Sequence, residues 1–403
     1  MNDELFARVK AAILDRLDLR REMSDTEVLD EIEAEVLEKS CERYFTVLER
    51  KRLVERVFNS IRRLDVIQPL VDDPYISEIM VNGQKDIFVE RRGVVEKTGL
   101  SFDTPEKLED VIQNIVTKVN RTVNESAPIV DARLADGSRV NAVLRPVSID
   151  GPALTIRKFP EKPMSVERLL TFGSLDENIA ELLGALVRGR YNILISGGTG
   201  SGKTSLLNAI AAMIPPDERV ITIEDSAELQ LKSLRNLVRL ETRDANTEGK
   251  GRIDMGSLIK TSLRMRPDRI IVGEVRDGLA AYYMLQSMNT GHDGSLTTGH
   301  ANSAADMLSR LETMALGEEA LPLEAVRRQI SSAIDVIVHV ARFRDGSRKI
   351  VEISELDGIK GGEIAVNRLF EYRDSAFSYT GYKIRNTAKL GLAGLECKYF
   401  EKM

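Results

Sequence analysis

Cysteine and histidine are scarce in this chain of 403 residues, which has two of the first and three of the second. Cys41 and Cys397 stand far apart, with no CxxC pair and no Cys/His cluster, so disulfide-framework and zinc-site readings both fail. A reducing, cytoplasmic location is the expectation. Long apolar runs are also missing: none approaches the roughly 18 residues of a membrane-spanning helix. The N-terminal MNDELFARVK has acidic residues and lacks the apolar core of a signal peptide. Basic charge is not in excess, because 57 Lys and Arg face 63 Asp and Glu for a net charge of −6. That balance, without an aromatic-basic stripe, argues against nucleic acid as the main partner. Internal repeats and low-complexity tracts are absent. What remains, 42% hydrophobic and 30% charged, reads as an ordinary soluble globular protein of two or three domains.

Residues 1–62 place Leu5, Val9, Ala12, Ile13 and Leu17 at helical spacing among many charges. SDTE at 24–27 is a capping box, Ser24 to Glu27, that opens a second helix. This segment reads as a solvated helical appendage, with a dedicated docking module as the sharper alternative. From about residue 63 the pattern becomes alternating. ISEIMVNGQKDIFVERRG predicts a hairpin about Asn82-Gly83, and TPEKLEDVIQNIVTKVN a helix with Pro at its first position after Thr104. ARLADGSRVNAVL and ALTIRKF predict further strands, with a turn at Asp136-Gly137. Residues 63–158 are therefore expected to form a small α+β domain. FPEKP, within a linker at 159–168, reads as a hinge. From 169 to 403 strands alternate with helices, which implies an α/β domain with a mostly parallel sheet.

The chemistry begins at GGTGSGKT, residues 197–204, between the strand NILIS and the helix that follows. That is the phosphate-loop pattern in its required context. Gly198, Thr199, Gly200, Ser201 and Gly202 would turn successive N–H groups toward a phosphate, with Ser205 in the helix's first turn. Lys203 would reach the β- and γ-phosphates, and the Thr204 hydroxyl would ligate Mg²⁺. In RIIVGE, residues 269–274, Gly273 stands where most ATPases of this class carry an Asp, leaving Glu274 to polarise the attacking water. Glu224, Asp225 and Glu228 in ITIEDSAEL then become candidates to help hold Mg²⁺ and its waters. Two of the histidines lie in TGHDGSLTTGHAN. His300 closes a strand where a γ-phosphate sensor would lie, His292 precedes that strand, and His339 in DVIVHVA reads as structural.

Together these motifs resemble the secretion ATPase superfamily, with its Asp box and His box. DPYISEIMVNG, DARLADGSRV and LRMRPDRIIVGEVRDG look closest to the CpaF/TadA-type ATPases of tight-adherence (Tad/Flp) pili. The resemblance runs from about residue 63 to about 357. Two features depart from it: Gly299 stands where the family more often has a larger residue, and the tail GYKIRNTAKLGLAGLECKYFEKM matches the usual ending poorly. The resemblance implies a RecA-like ATPase domain preceded by a PAS-like α+β domain, and a homohexamer acting on an inner-membrane platform protein. It also implies that Arg133, Arg139 and Arg157 reach the triphosphate as the small domain closes over the phosphate loop. Arg243, Arg264 and Arg266 would work at a subunit boundary. The expectation is a cytoplasmic motor that hydrolyses ATP for pilin assembly. A type II or type IV secretion ATPase is the near rival. A nucleic-acid motor of RecA-like fold and a nucleotide-switched scaffold that barely turns over stand further off.

Overall fold

The computed structural model describes residues 3–16, 23–40, 45–91, 93–159, 163–243, 245, 250–318 and 321–400. The chain divides into two units, Met1–Glu161 and Lys162–Met403. The expected hinge FPEKP falls largely at 160–162, outside the described residues.

The first unit opens with α1 (Asp3–Arg16), α2 (Asp25–Ser40) and α3 (Val47–Arg62). The expected capping box forms ahead of α2: the Ser24 N–H donates to Glu27 Oε2 at 2.8 Å and the Glu27 N–H to Ser24 Oγ at 3.3 Å. Thr46 and Glu49 repeat the device at α3. The apolar stripes of these helices bury Val9, Ile13, Val28, Ile32, Val36, Leu53 and Val57 against one another, a core of their own. Next come α4 (Gln68–Asp72), β1 (Ile76–Asn82), β2 (Asp86–Arg91), β3 (Val94–Lys97) and α5 (Pro105–Thr117). The unit ends with β4 (Ile129–Arg133), β5 (Arg139–Val143) and β6 (Ala153–Arg157). The six strands make one antiparallel sheet in the order β3-β2-β1-β6-β5-β4. Its inner face packs on the apolar side of α5 as a second core.

A polar contact joins the two cores, with Lys107 Nζ of α5 donating to the Ser60 carbonyl of α3 at 3.3 Å, while Lys10 Nζ of α1 donates to Ser60 Oγ at 2.8 Å within the helical segment. Because each apolar cluster is filled from within, a chain beginning at Ile61 is expected to fold and to keep its nucleotide turnover. Melting followed by circular dichroism, beside an assay of phosphate release, checks this. Loss of the cooperative transition would make the helices part of the sheet's core.

The second unit starts with α6 (Val166–Thr171), α7 (Glu177–Arg188), β7 (Ile193–Gly197) and α8 (Lys203–Ala211). It continues through β8 (Arg219–Glu224), β9 (Asn236–Glu241), α9 (Met255–Ser262), β10 (Arg269–Val272), α10 (Gly278–Asn289) and β11 (Leu296–His300). Then follow α11 (Ala304–Glu318), α12 (Leu323–Ala333), β12 (Val336–Arg342), β13 (Arg348–Lys360), β14 (Glu363–Arg373), β15 (Ala376–Tyr379) and α13 (Ala388–Leu392). The nine strands lie in the order β15-β14-β13-β12-β7-β11-β10-β8-β9. From β12 to β9 the pairing is parallel, and β13 to β15 add an antiparallel margin.

Parallel strands covered on both faces read as unbroken apolar runs, and β7 and β10 are buried along their whole length. Ile193 and Ile195 face a core shared with α7 and α8, while Leu194 between them faces a core shared with α9 to α12. Arg269 is fully buried at the entrance to β10. Its guanidinium grips the Glu218 carboxylate at 2.6 and 2.8 Å and donates to the Val187 carbonyl at 2.6 Å, so each charge is matched. The atypical tail folds back on the same body. Ile384, Leu390, Tyr399 and Phe400 join the first of these two cores. The buried Glu355 carboxylate accepts from the Arg385 and Asn386 N–H groups and from the Tyr382 hydroxyl.

Candidate active site

The carboxyl ends of the central parallel strands carry the chemistry, where a crevice in an open α/β sheet ordinarily lies. Residues 198–202 leave β7 and turn into α8. Gly200 at φ +70° and Gly202 at φ +95° hold left-handed conformations that a side chain would strain. Gly197 has no room for one, since a Cβ there would lie 2.4 Å from the Val340 carbonyl oxygen. Ser201 Oγ ties the loop by donating to the Gly198 carbonyl at 2.9 Å. No side chain caps α8, so its first N–H groups remain for an anion, and the loop fits a nucleotide phosphate.

Lys203 Nζ donates to the Gly197 and Gly198 carbonyls at 3.1 and 2.9 Å, and lies 3.3 Å from His300 Nδ1. Burial lowers the lysine's pKa and the Glu274 carboxylate opposes that shift. With Nδ1 accepting from the ammonium, the partner set assigns the imidazole proton to Nε2, which sits 2.6 Å from Glu274 Oε1. Burial likewise lowers the His300 pKa, and the Glu274 carboxylate opposes that shift. On the other carboxylate oxygen, Arg276 Nη2 donates at 2.7 Å, and its Nη1 reaches Asp225 Oδ2 at 3.2 Å. Arg276 thus steers Glu274 from one side, while the His300 ring lies against the other carboxylate oxygen, which has no hydrogen bond of its own among the described residues. Arg276 was missed by sequence reasoning, although its place two residues after the Glu was a signal.

The geometry also accounts for Gly273. A Cβ at this position would come 3.0 Å from Glu224 Cγ, so the Glu224 side chain crowds the space that an Asp directly after β10 would need. Glu224 Oε2 accepts from the Glu228 and Leu229 N–H groups at 2.7 and 3.0 Å, while its buried Oε1 makes no hydrogen bond. Burial raises the Glu224 pKa against those two bonds. The expected trio of metal-holding acids does not assemble directly. Among the described residues no three His, Cys, Asp or Glu side chains form a metal-ligand group. Asp225 is turned toward Arg276 and Thr242, and Glu228 contributes its backbone N–H to Glu224.

The structure separates the two glycine-rich histidines. His300 ends β11 beside Lys203, but His292 precedes β11 at the opposite end of the strand, its Nδ1 3.3 Å from the Ser287 carbonyl. His292 therefore lies at the far end of β11 from the phosphate loop of its own chain. Arg264 and Arg266 are exposed ahead of β10, again at the far end from the loop. Arg243 lies past β9, with Nε donating to the Gly251 carbonyl at 2.8 Å. Arg133, Arg139 and Arg157 belong to the first unit, directly opposite one another on β4, β5 and β6, so their side chains share one face. The turn between the first two closes through the Leu134 N–H donating to the Ser138 carbonyl, with Gly137 at φ +91° as expected of a three-residue loop. At Gly299, a Cβ would come 2.6 Å from Met307 Sδ, so the thioether occupies the room a larger residue would take.

His339 is structural, as expected, and its partner is informative: Nδ1 lies 2.8 Å from Ser196 Oγ, directly before the phosphate loop. Burial pushes its pKa below the ordinary value. An unfolded imidazole gains its proton near about 6.5, whereas the folded one does so only at lower pH. The unfolded state therefore binds more protons in that interval. Full stability is present above the ordinary value and is lost as pH falls from there toward the depressed one. Melting temperature against pH is expected to drop in this window, and His339→Gln to flatten that limb of the profile. An unchanged slope in the variant would contradict it.

A family model for type II/IV secretion system proteins matches residues 62–369. The chain belongs to that family. The conjugal transfer protein TrbB of Rhizobium radiobacter is 37% identical over 314 residues, 77% of this chain and 92% of its own. The type IV secretion system protein VirB11 of Bartonella quintana is 30% identical over 339 residues, 74% of this chain and 93% of its own. In fold, the chain is similar to the Legionella pneumophila ATPase DotB, at TM-score 0.53 and 24% identity over 72% of this chain and 80% of that one. This member of the secretion family is an ATPase with a RecA-like α/β domain. No helix among its described residues is long and apolar enough to cross a membrane.

Proposed function

We propose that this ATPase is the cytoplasmic traffic motor of a type II or type IV secretion system, working as a homohexamer at the inner face of the cytoplasmic membrane. The conjugal-transfer and type IV secretion names of its relatives favour this reading over the Tad/Flp pilus assembly expected from motif likeness alone. The observation that supports motor chemistry is the Lys203–His300–Glu274 contact at the strand ends. Lys203 neutralises the triphosphate, Glu274 takes the proton of the attacking water, and Arg276 fixes the carboxylate's direction. Mg²⁺ accompanies ATP and supplies charge neutralisation there. Thr204 and Glu224 are the residues that would hold it and its waters, Glu224 through the Oε1 that has no other partner.

The hexamer would be built from head-to-tail contacts that close, docked on inner-membrane platform proteins. Arg243, Arg264, Arg266 and His292, placed away from the phosphate loop of their own chain, suit that boundary. The row Arg133, Arg139 and Arg157 is assigned by resemblance to the transferring phosphoryl group. Arg139→Ala is expected to lower kcat by roughly 10³-fold or more, the scale of arginine fingers, with nucleotide affinity reduced far less. Arg139→Lys should rescue poorly, because an ammonium lacks the bidentate fork. Equal losses of rate and binding would remove this residue from catalysis. Deleting the gene, then assaying exported protein and imaging surface fibres by electron microscopy, tests the cellular role. Lost export with intact fibres supports secretion; lost fibres with intact export returns the pilus.

A further inference from the structure

ARFRDGSRK, residues 341–349, is absorbed by none of the motifs above, yet it places four basic side chains against one acid. It joins β12 to β13 through a tight turn. The Phe343 N–H donates to the Ser347 carbonyl at 2.8 Å and Gly346 sits at φ +83°. Arg342 and Arg348 are directly opposite in the antiparallel ladder, so their side chains leave the same face. β12 runs parallel to β7 with Val340 level with Gly197, which carries the hairpin past the point where the chain enters the phosphate loop.

Two contacts follow from that placement. Arg348 Nε donates to the Gly200 carbonyl at 2.9 Å, and its Cδ lies 3.3 Å from where a Cβ on Gly202 would stand. Arg342 Nη1 lies 3.6 Å from where a Cβ on Gly200 would stand. Arg342 is exposed, and among the described residues no carboxylate pairs with it. An uncompensated guanidinium at the tip of a loop built for phosphate, beside a second arginine, gains most from an anion between them and the loop.

We propose that Arg342 is a further nucleotide-binding residue, contacting the phosphates from outside the loop, and that Arg348 is the positioning residue that holds the loop's tip. The inference rests on the nucleotide reading of GGTGSGKT and adds a contact from a strand far along the chain. A guanidinium–phosphate contact has the strength of a charged hydrogen bond, so its loss should weaken binding by roughly 10- to 100-fold.

The test is a titration of the full chain with fluorescent ADP and competing inorganic pyrophosphate. It compares wild type, Arg342→Ala, Arg342→Lys, Arg344→Ala, Arg348→Ala and Lys203→Ala. Arg342→Ala should weaken ADP and pyrophosphate by the same factor and lessen the salt dependence of binding. Arg342→Lys should recover part of the loss, and Arg344→Ala, at the turn itself, should bind as wild type does. Arg348→Ala, assayed in addition for phosphate release and for melting, should lower kcat more than affinity with an unchanged melting temperature in nucleotide-free buffer. A wild-type kcat would remove its positioning role. Wild-type ADP affinity in Arg342→Ala overturns the proposal, as does a loss confined to ADP that spares pyrophosphate. A wild-type chain that binds no ADP would instead strike the nucleotide reading beneath it.

Discussion

Glu274→Gln is expected to bind ATP about as tightly as wild type and to release phosphate roughly 10²- to 10⁴-fold more slowly, the usual contribution of a positioned base. The amide keeps the shape of the side chain and still accepts from Arg276 through its oxygen. It cannot take a proton, and with its oxygen on Arg276 it turns an NH₂ donor toward the His300 ring where the carboxylate has an oxygen. The carboxylate it replaces accepts from Arg276 at 2.7 Å through Oε2, and its Oε1 lies 2.6 Å from His300 Nε2. A substitution that keeps the shape and the Arg276 contact while removing the basicity separates orientation from proton transfer. His300→Ala provides the complement, with the base intact and its support removed, and should fall between wild type and Glu274→Gln. Phosphate release within a few-fold of wild type in Glu274→Gln would end the catalytic assignment.

Lys203→Ala should fail one step earlier, at binding. A charged hydrogen bond to phosphate contributes about 1.5–3 kcal/mol, so ATP and ADP affinity should drop by at least tenfold, with turnover lost in consequence. Truncation also leaves the Gly197 and Gly198 carbonyls and His300 Nδ1 without the donor they share. A melting curve without nucleotide should therefore shift as well, and the nucleotide-induced rise in melting temperature should vanish. Because Lys203 is buried and its charge is already disfavoured by desolvation, a phosphate gains both an ion pair and a partner that water reaches poorly. Retained nucleotide-induced stabilisation in Lys203→Ala would show that the loop's N–H groups suffice.

Local signals were legible where one short stretch determines its own conformation. The capping box at Ser24, the helix opening at Thr104-Pro105, the Gly137 turn and the whole phosphate loop depend on residues within a few positions of each other. The alternation of strands and helices likewise carried the parallel sheet. What escaped the sequence depends on partners brought together by topology. Ser196 meets His339 across 143 residues, and Arg348 meets Gly200 across 148. Neither pair shares a motif, and only the adjacency of β7 and β12 joins them. The antiparallel β13–β15 margin and the packed tail were missed for a similar reason, since Glu355 gathers its N–H donors from a segment some thirty residues on.

The central claim, that Glu274 turns over a triphosphate held by Lys203, comes down to the identity of the nucleotide left on the protein. Wild type and Glu274→Gln would each be mixed with Mg²⁺ and a single equivalent of ATP, quenched after a fixed interval, and their nucleotide separated by chromatography. ADP on the wild type and intact ATP on Glu274→Gln is the outcome expected from the site's geometry. ADP on both would contradict the account, because the water would then be activated without Glu274.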